Sequence, residues 1–294
     1  MNKFKVITDT TSDLYEELRE KYDIDYMMMA FNDGIMNYDA DIDFKGISAK
    51  EFYDSMRNGV VFKTSQVQAT EIVKKLTKYL ELGYDILYVA CSSKLTSSCN
   101  FVKLQSEELL DDYPERKIIC FDTLRSTGAE GLIAIKAAIL AQEGKTVDEA
   151  YEILNNEKLN FNTYCTVNSL EWLKKAGRIK ATKAFFGNLF NVKPIIVADA
   201  IGNNFAMTTV KGRKDSLEFI VNAVKERIEN SKDQIVFVEH ADDLDSAEYV
   251  KARIKDLVDV KEVVITNIGP IIGATVGPDS IIVSFYGQKV TLNA

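Results

Sequence analysis

Ser92, Ser93, Thr96, Ser97 and Ser98 put five hydroxyls into seven residues. Residues of this type, gathered at the end of an apolar run, are suited to gripping an anionic group. The run ahead of them, from Ile86 to Cys91, is β-branched and aromatic enough to form a buried strand. A helix through Val102 and Leu104 follows. A strand that delivers hydroxyls and free backbone N–H groups to a helix N-terminus is a place for a carboxylate or a phosphate. Capping the helix needs only one or two of those side chains.

Two further turns repeat the pattern. Asp9-Thr10-Thr11-Ser12-Asp13 follows a strand over Phe4 to Thr8, and Thr64-Ser65-Gln66 precedes a helix around Ile72 to Leu80. Gly269 to Pro278 contributes Thr275 and glycines such as Gly273 that let backbone approach a ligand; its two prolines predict a tight connection with no helix. Arg178 and Arg213 each follow a glycine, and arginine suits carboxylate or phosphate. Other chemistries find less support. His240 is the only histidine, so a serine hydrolase would have to pair it with Ser93, and zinc catalysis lacks ligands. The Walker and G-x-G-x-x-G patterns are absent. Asp39-x-Asp41-x-Asp43 has calcium-loop spacing, but Phe44 and Lys50 stand where such a loop needs Gly and Glu.

The elements that must position these turns are legible from periodicity. Across 294 residues, 46% hydrophobic and 27% charged, there is material for two ordinary globular domains. A net charge of −8 without a basic block argues against nucleic acid, and no apolar stretch is long enough for an integral membrane segment. Cys91, Cys99, Cys120 and Cys165 form no C-x-x-C pair and read as reduced thiols of a cytoplasmic protein. Up to about residue 160, strands (the second over Asp25 to Phe31) alternate with helices, predicting a mostly parallel sheet with flanking helices in a domain over 1–160. Capping boxes are expected at Ser48/Glu51, Thr127/Glu130, Thr146/Glu149, Asn168/Glu171, Asp215/Glu218 and Asp245/Glu248. Residues 161–294 predict a second α/β domain with a mixed or antiparallel sheet, including a hairpin of Val192–Ala198 with Phe205–Lys211. The apolar cluster Phe185-Phe186-Gly187-Asn188-Leu189-Phe190, with Phe186, Leu189 and Phe190 as its large side chains, suits core packing beneath the hairpin or the wall of an apolar ligand site.

Taken in order, these segments resemble the DegV family of bacterial lipid-binding proteins. Asp9 to Asp13 is similar to the family's T-D-S-T-S-D, Thr64-Ser65-Gln66 to its T-S-Q-P-S, and Ser92 to Ser98 to S-S-x-L-S-G-T. Asp122-Thr123 through Gly128 resembles D-S-x-x-x-S-x-G, and Lys175 to Ile179 resembles K-G-G-R-I. Lys193-Pro194-Ile195 and Lys211-Gly212-Arg213 resemble K-P-I and K-V-R, and Gly269 to Pro278 resembles G-P-V-I-G-T-H-x-G-P. Thr275 stands where that last motif has histidine, and Ala274 where it has threonine.

The resemblance implies two α/β domains with one long-chain fatty acid between them, its carboxylate at the interface and its tail in an apolar tunnel. It implies Thr64, Ser65, Ser92, Ser93 and Thr275 around the carboxylate, with Arg178, Arg213 and Gly273 near the head group or a partner surface. It implies a non-catalytic carrier with no cofactor and no metal, one that presents the acid to a separate ATP-dependent fatty acid kinase. The alternative is a phosphotransferase or nucleotide-dependent enzyme that uses the same hydroxyl-rich anion site.

Overall fold

The computed structural model describes residues 3–180 and 192–293. Phe4–Asp9 (β1) is buried along its whole length, and so is Asp85–Ala90, the sixth strand (β6). Strands covered on both faces are largely apolar, and these two form the centre of a parallel sheet. Asp25–Met27 (β2) and Ile118–Asp122 (β7) complete it in the order β2-β1-β6-β7. Met29–Asn32 (β3), Asn37–Ala40 (β4) and Lys63–Ser65 (β5) form a separate antiparallel sheet, ordered β4-β3-β5. The stretch from Asp25 to Phe31, continuous by its pattern, is therefore two strands in two sheets. The break comes at Met28, and the next N–H, that of Met29, goes to Thr10 Oγ1 at 3.0 Å.

The second half folds on a six-stranded mixed sheet. Its strands are Phe161–Thr166 (β8), Val192–Ala198 (β9), Asn204–Lys211 (β10), Ile235–His240 (β11), Glu262–Asn267 (β12) and Ile281–Tyr286 (β13). They lie in the order β10-β9-β8-β13-β11-β12, antiparallel except for β11 with β12. Both sheet types thus match expectation, and the fold is α/β with a parallel sheet first and a mixed sheet second.

Among the described residues, the helices of the first half are Glu16–Tyr22 (α1), Ala49–Arg57 (α2), Ala69–Glu81 (α3), Ser98–Leu110 (α4), Thr127–Gln142 (α5) and Val147–Glu157 (α6). Those of the second are Glu171–Ala176 (α7), Arg213–Arg227 (α8), Leu244–Leu257 (α9) and Pro270–Val276 (α10). Capping boxes close at Ser48/Glu51 and Thr146/Glu149. The other four do not form. Ser126, not Thr127, occupies the N-cap position of α5, without a side-chain cap bond, and the Glu130 side chain turns inward. Leu170 and Gly212 precede α7 and α8, so Asn168 is free to reach Asp279 and Asp215 falls inside the first turn. Asp243 caps α9 by accepting from Ser246 N–H, two residues before the expected cap. Nor do the prolines prevent α10. Pro270 sits in the first turn, where its missing N–H costs nothing, and Pro278 lies beyond Gly277 at the end.

Helix α5 is the element the two sheets share. Ala129, Ile133, Ala137 and their neighbours are buried around most of its circumference, in one cluster with β1 and β6 side chains and with Phe161, Phe237 and Val264 of the mixed sheet. Polar contacts tie the halves as well. Tyr53 of α2 donates to Ile268 O at 2.5 Å, and Arg125, fully buried, donates to Phe161 O at 2.6 Å and Asp199 O at 3.0 Å.

Candidate functional site

The strands β1, β6 and β7 all run the same way, so the turns after them emerge at one edge. There they bring Thr11, Cys91 and the pair Ser126–Thr127 to one wall of a cavity of about 430 Å³. Ligands of open α/β sheets gather at that edge, and the volume lies within the range of about 300 to 1,000 Å³ usual for small-molecule sites. The facing wall comes from the mixed sheet and its helices: Thr163 and Cys165 of β8, Ile196 of β9, Ile282 of β13, Trp172 of α7 and Ile271 of α10. Strand β5 of the small sheet borders it too, with Thr64 opposite Phe31 in the ladder.

Burial separates an outer rim from an inner end. Lys63, Thr64, Ser97, Lys175 and Arg178 line the cavity and are solvent-exposed. Cys165, Leu173, Ile196, Ile271 and Ile282 line it and are buried. Thr11 and Thr127 are each 2% exposed. The rim is cationic on a chain of net charge −8, the walls are largely apolar, and the inner end is again hydroxylated.

Of the residues expected around a head group, the structure brings together Thr64, Ser65, Thr275 and Arg178. Arg178 is held by its own bonds, Nε to Leu95 O and Nη1 to Ala176 O, both at 2.9 Å. Ser65 Oγ donates to Ala30 O at 3.2 Å and Thr275 Oγ1 to Ile271 O at 3.3 Å. The others stand apart from the cavity lining. Ser92 Oγ donates to Gly202 O at 2.7 Å, which commits its one proton to joining the β6 turn to the β9–β10 hairpin. Ser93 presents its backbone N–H to Asp122 Oδ1 at 3.2 Å. Gly273 lies against the Tyr53 ring, where a β-carbon would collide with it. Arg213 binds Asp243 Oδ2 at 2.6 Å and Asp279 O at 2.7 Å. Phe186, Leu189 and Phe190 lie outside the described residues. His240 is buried and accepts the Asp243 N–H at Nδ1; burial holds its pKa below the usual value, so the ring is kept neutral for that bond.

Sequence reasoning missed the inner residues. Thr11 sits in a turn it had marked, and Ser126 and Thr127 in the segment matched to D-S-x-x-x-S-x-G. Thr163 had no local signal, because its place is set by β8 pairing with β13 opposite Ser284.

Four carboxyls stand behind the inner hydroxyls: Asp9, Asp13, Glu130 and Glu239, each 0% exposed. Among the described residues none of them bonds to a lysine or arginine. Asp9 accepts from Tyr88 Oη at 2.6 Å and Thr11 N–H at 2.9 Å, and Asp13 from Gly269 N–H at 3.0 Å. Glu239 accepts from Thr127 Oγ1 and from Gly128 N–H, the latter at 2.9 Å. Burial raises all four pKa values, Glu239 to about 7. The charge of Glu239 pushes Asp13 further, and that of Asp9 pushes Glu130. Proton counting agrees. Thr11 Oγ1 reaches Asp9 Oδ1 and also lies 2.9 Å from Glu130 Oε2, yet a hydroxyl has one proton, so a protonated carboxyl must supply the second. Thr127 itself has φ +55°, a left-handed conformation that a β-branched residue adopts only at a cost.

No helix among the described residues is long and apolar enough to cross a membrane. The sequence model described as "Uncharacterised protein, DegV family" matches residues 3–288. A DegV domain-containing protein of Clostridium perfringens is 34% identical over 288 residues, covering 98% of this chain and 99% of the relative. Among solved structures, a DegV lipid binding protein from Thermotoga maritima superposes with a TM-score of 0.86 at 25% identity, over 98% of this chain and 100% of that one. A fatty-acid-binding DegV family protein from Thermus thermophilus reaches 0.87 at 24% identity, over 97% and 100%, a likeness of fold. With the match running end to end in sequence and in backbone, this chain belongs to the DegV family.

Proposed function

We propose that the chain is a non-catalytic carrier holding one long-chain fatty acid between a domain over 1–160 and a domain over 161–294. The carboxylate sits at the rim beside Thr64, Ser65 and Thr275, the last two turning their hydroxyls from Ala30 O and Ile271 O to meet it, in the field of Lys63, Lys175 and Arg178, and the tail runs inward past Trp172, Leu173, Ile196 and Ile271. The observation that carries this reading is the cavity of about 430 Å³ with a cationic, hydroxylated rim and apolar walls. A buried tail contributes about 0.8 kcal/mol per methylene, while rim donors fix orientation, since a carboxylate leaving water without them is costly. The reading is further supported by the Thermotoga maritima lipid binding protein, a family member of like fold. The exposed position of Thr64 and Arg178 suits presentation of the carboxylate to a separate ATP-dependent kinase in the cytoplasm.

Denaturing extraction of the purified protein followed by mass spectrometry tests the proposal. A stoichiometric fatty acid is expected, as is weaker uptake of labelled acid by Thr64→Val and Thr275→Val. A lipid-free protein that takes up no labelled acid refutes it. Saturable ATP binding by the isolated chain in calorimetry would instead favour a nucleotide-dependent enzyme.

A further inference from the structure

The inner end of the cavity is not built for a hydrocarbon terminus. Thr11, Ser126, Thr127 and Thr163 converge there from three places in the chain, the turns after β1 and before α5 and the strand β8. Thr11 and Thr127 are held in place by the carboxyls behind them. Ser126 precedes the sixteen-residue α5 without bonding any of its N–H groups through the side chain. Thr163 Oγ1 is buried and has no hydrogen-bond partner, since its ladder neighbour Ser284 turns its own hydroxyl to Glu239 at 3.4 Å. A buried hydroxyl left unpaired is unfavourable, and a methyl group packed against it makes that loss permanent.

We propose that this end receives a second, neutral polar group on the acyl chain, so that the preferred ligand is an oxygenated fatty acid, hydroxy or oxo, in place of a plain one. The inference rests on the acyl-carrier reading above and adds the class of acid. A ligand hydroxyl or carbonyl accepts the unused Thr163 proton, and a ligand hydroxyl also donates to Ser126 or Thr127. A second carboxylate is disfavoured, because Asp9, Asp13, Glu130 and Glu239 back this end with no cation among them. The same layer argues that the acid enters tail first, leaving its carboxylate at the cationic rim. Sites that hydrogen-bond a ligand hydroxyl discriminate strongly against the analogue lacking it.

The test is competition binding to the full, lipid-stripped chain, comparing stearic acid with its mid-chain and terminal monohydroxy derivatives. At least one derivative is expected to bind about tenfold more tightly than stearic acid. Thr163→Val should bring that ratio close to one, whereas Thr163→Ser should keep it. Stearic acid binding as tightly as every derivative overturns the inference and leaves the carrier reading intact, and so does a preference that survives in Thr163→Val. If no acid of either kind binds, the carrier reading fails and takes this inference with it.

Discussion

Replacing Glu239 by glutamine should make the protein more stable at neutral pH and less sensitive to pH. In the folded chain the Glu239 carboxyl is buried among Thr127, Gly128 and Ser284, and burial lifts its pKa from the usual 4.5 to about 7. Below pH 4.5 the group is protonated whether the chain is folded or not, and it leaves stability unchanged. Between 4.5 and about 7 the unfolded chain releases the proton while the folded chain keeps it, so stability falls as pH rises. At about 1.36 kcal/mol per pH unit, the loss across that interval approaches 3 kcal/mol and is complete once pH passes the folded value. Glutamine has no such proton. Its Oε1 still accepts the Thr127 hydroxyl and the Gly128 N–H, as the Glu239 Oε1 does. Urea unfolding at a series of pH values measures the effect. The stability gap between Glu239→Gln and wild type should widen by about 3 kcal/mol from pH 4.5 to about pH 8. A gap that stays constant over this interval would show that Glu239 is ionised in the folded state, and the reasoning fails.

Three further outcomes follow from the same geometry. At pH 7, Glu130→Gln should leave stability within about 1 kcal/mol of wild type. Glu130→Ala, which takes one partner from each of the Thr8 and Thr11 hydroxyls and empties a fully buried site, should cost about 2 kcal/mol or more in denaturant unfolding. Gly277→Ala places a β-carbon against the Trp172 indole at a position with φ +82°, so it should cost about 2 kcal/mol and lower the melting temperature. Trp172 is the only tryptophan and lines the cavity. Adding a fatty acid to lipid-stripped protein should therefore shift its emission to shorter wavelength, and an unchanged spectrum at saturating ligand would place the acid elsewhere.

Much of the frame was legible because it is written in local pattern. An unbroken apolar run at Ile86 and a short, mostly apolar one at Phe4 announced parallel strands, and Ser48/Glu51 and Thr146/Glu149 formed the capping boxes their spacing promised. What stayed hidden depends on partners distant in sequence. Thr127/Glu130 has the spacing of a capping box, yet Glu130 is drawn inward by Thr8 and Thr11, more than a hundred residues away. The same limit applies to the site. Ser92 and Ser93 are the right chemical type in the right turn, but the Ser92 hydroxyl is claimed by Gly202 of a hairpin whose docking no local rule predicts. Thr163 has the opposite history, an ordinary strand residue made notable by the strand that lies beside it.

Helix α5 belongs to neither sheet alone, and this bears on how the protein comes apart. A chain with separate sheets could be expected to melt in stages, one module outlasting the other. Here a single buried rod plugs both modules, so removing either leaves a greasy flank facing water. A single unfolding transition is therefore the expected outcome in thermal or denaturant melting. On the carrier reading proposed above, cargo would then enter and leave through small sliding and breathing of packed surfaces, with no hinged parting of two intact lobes.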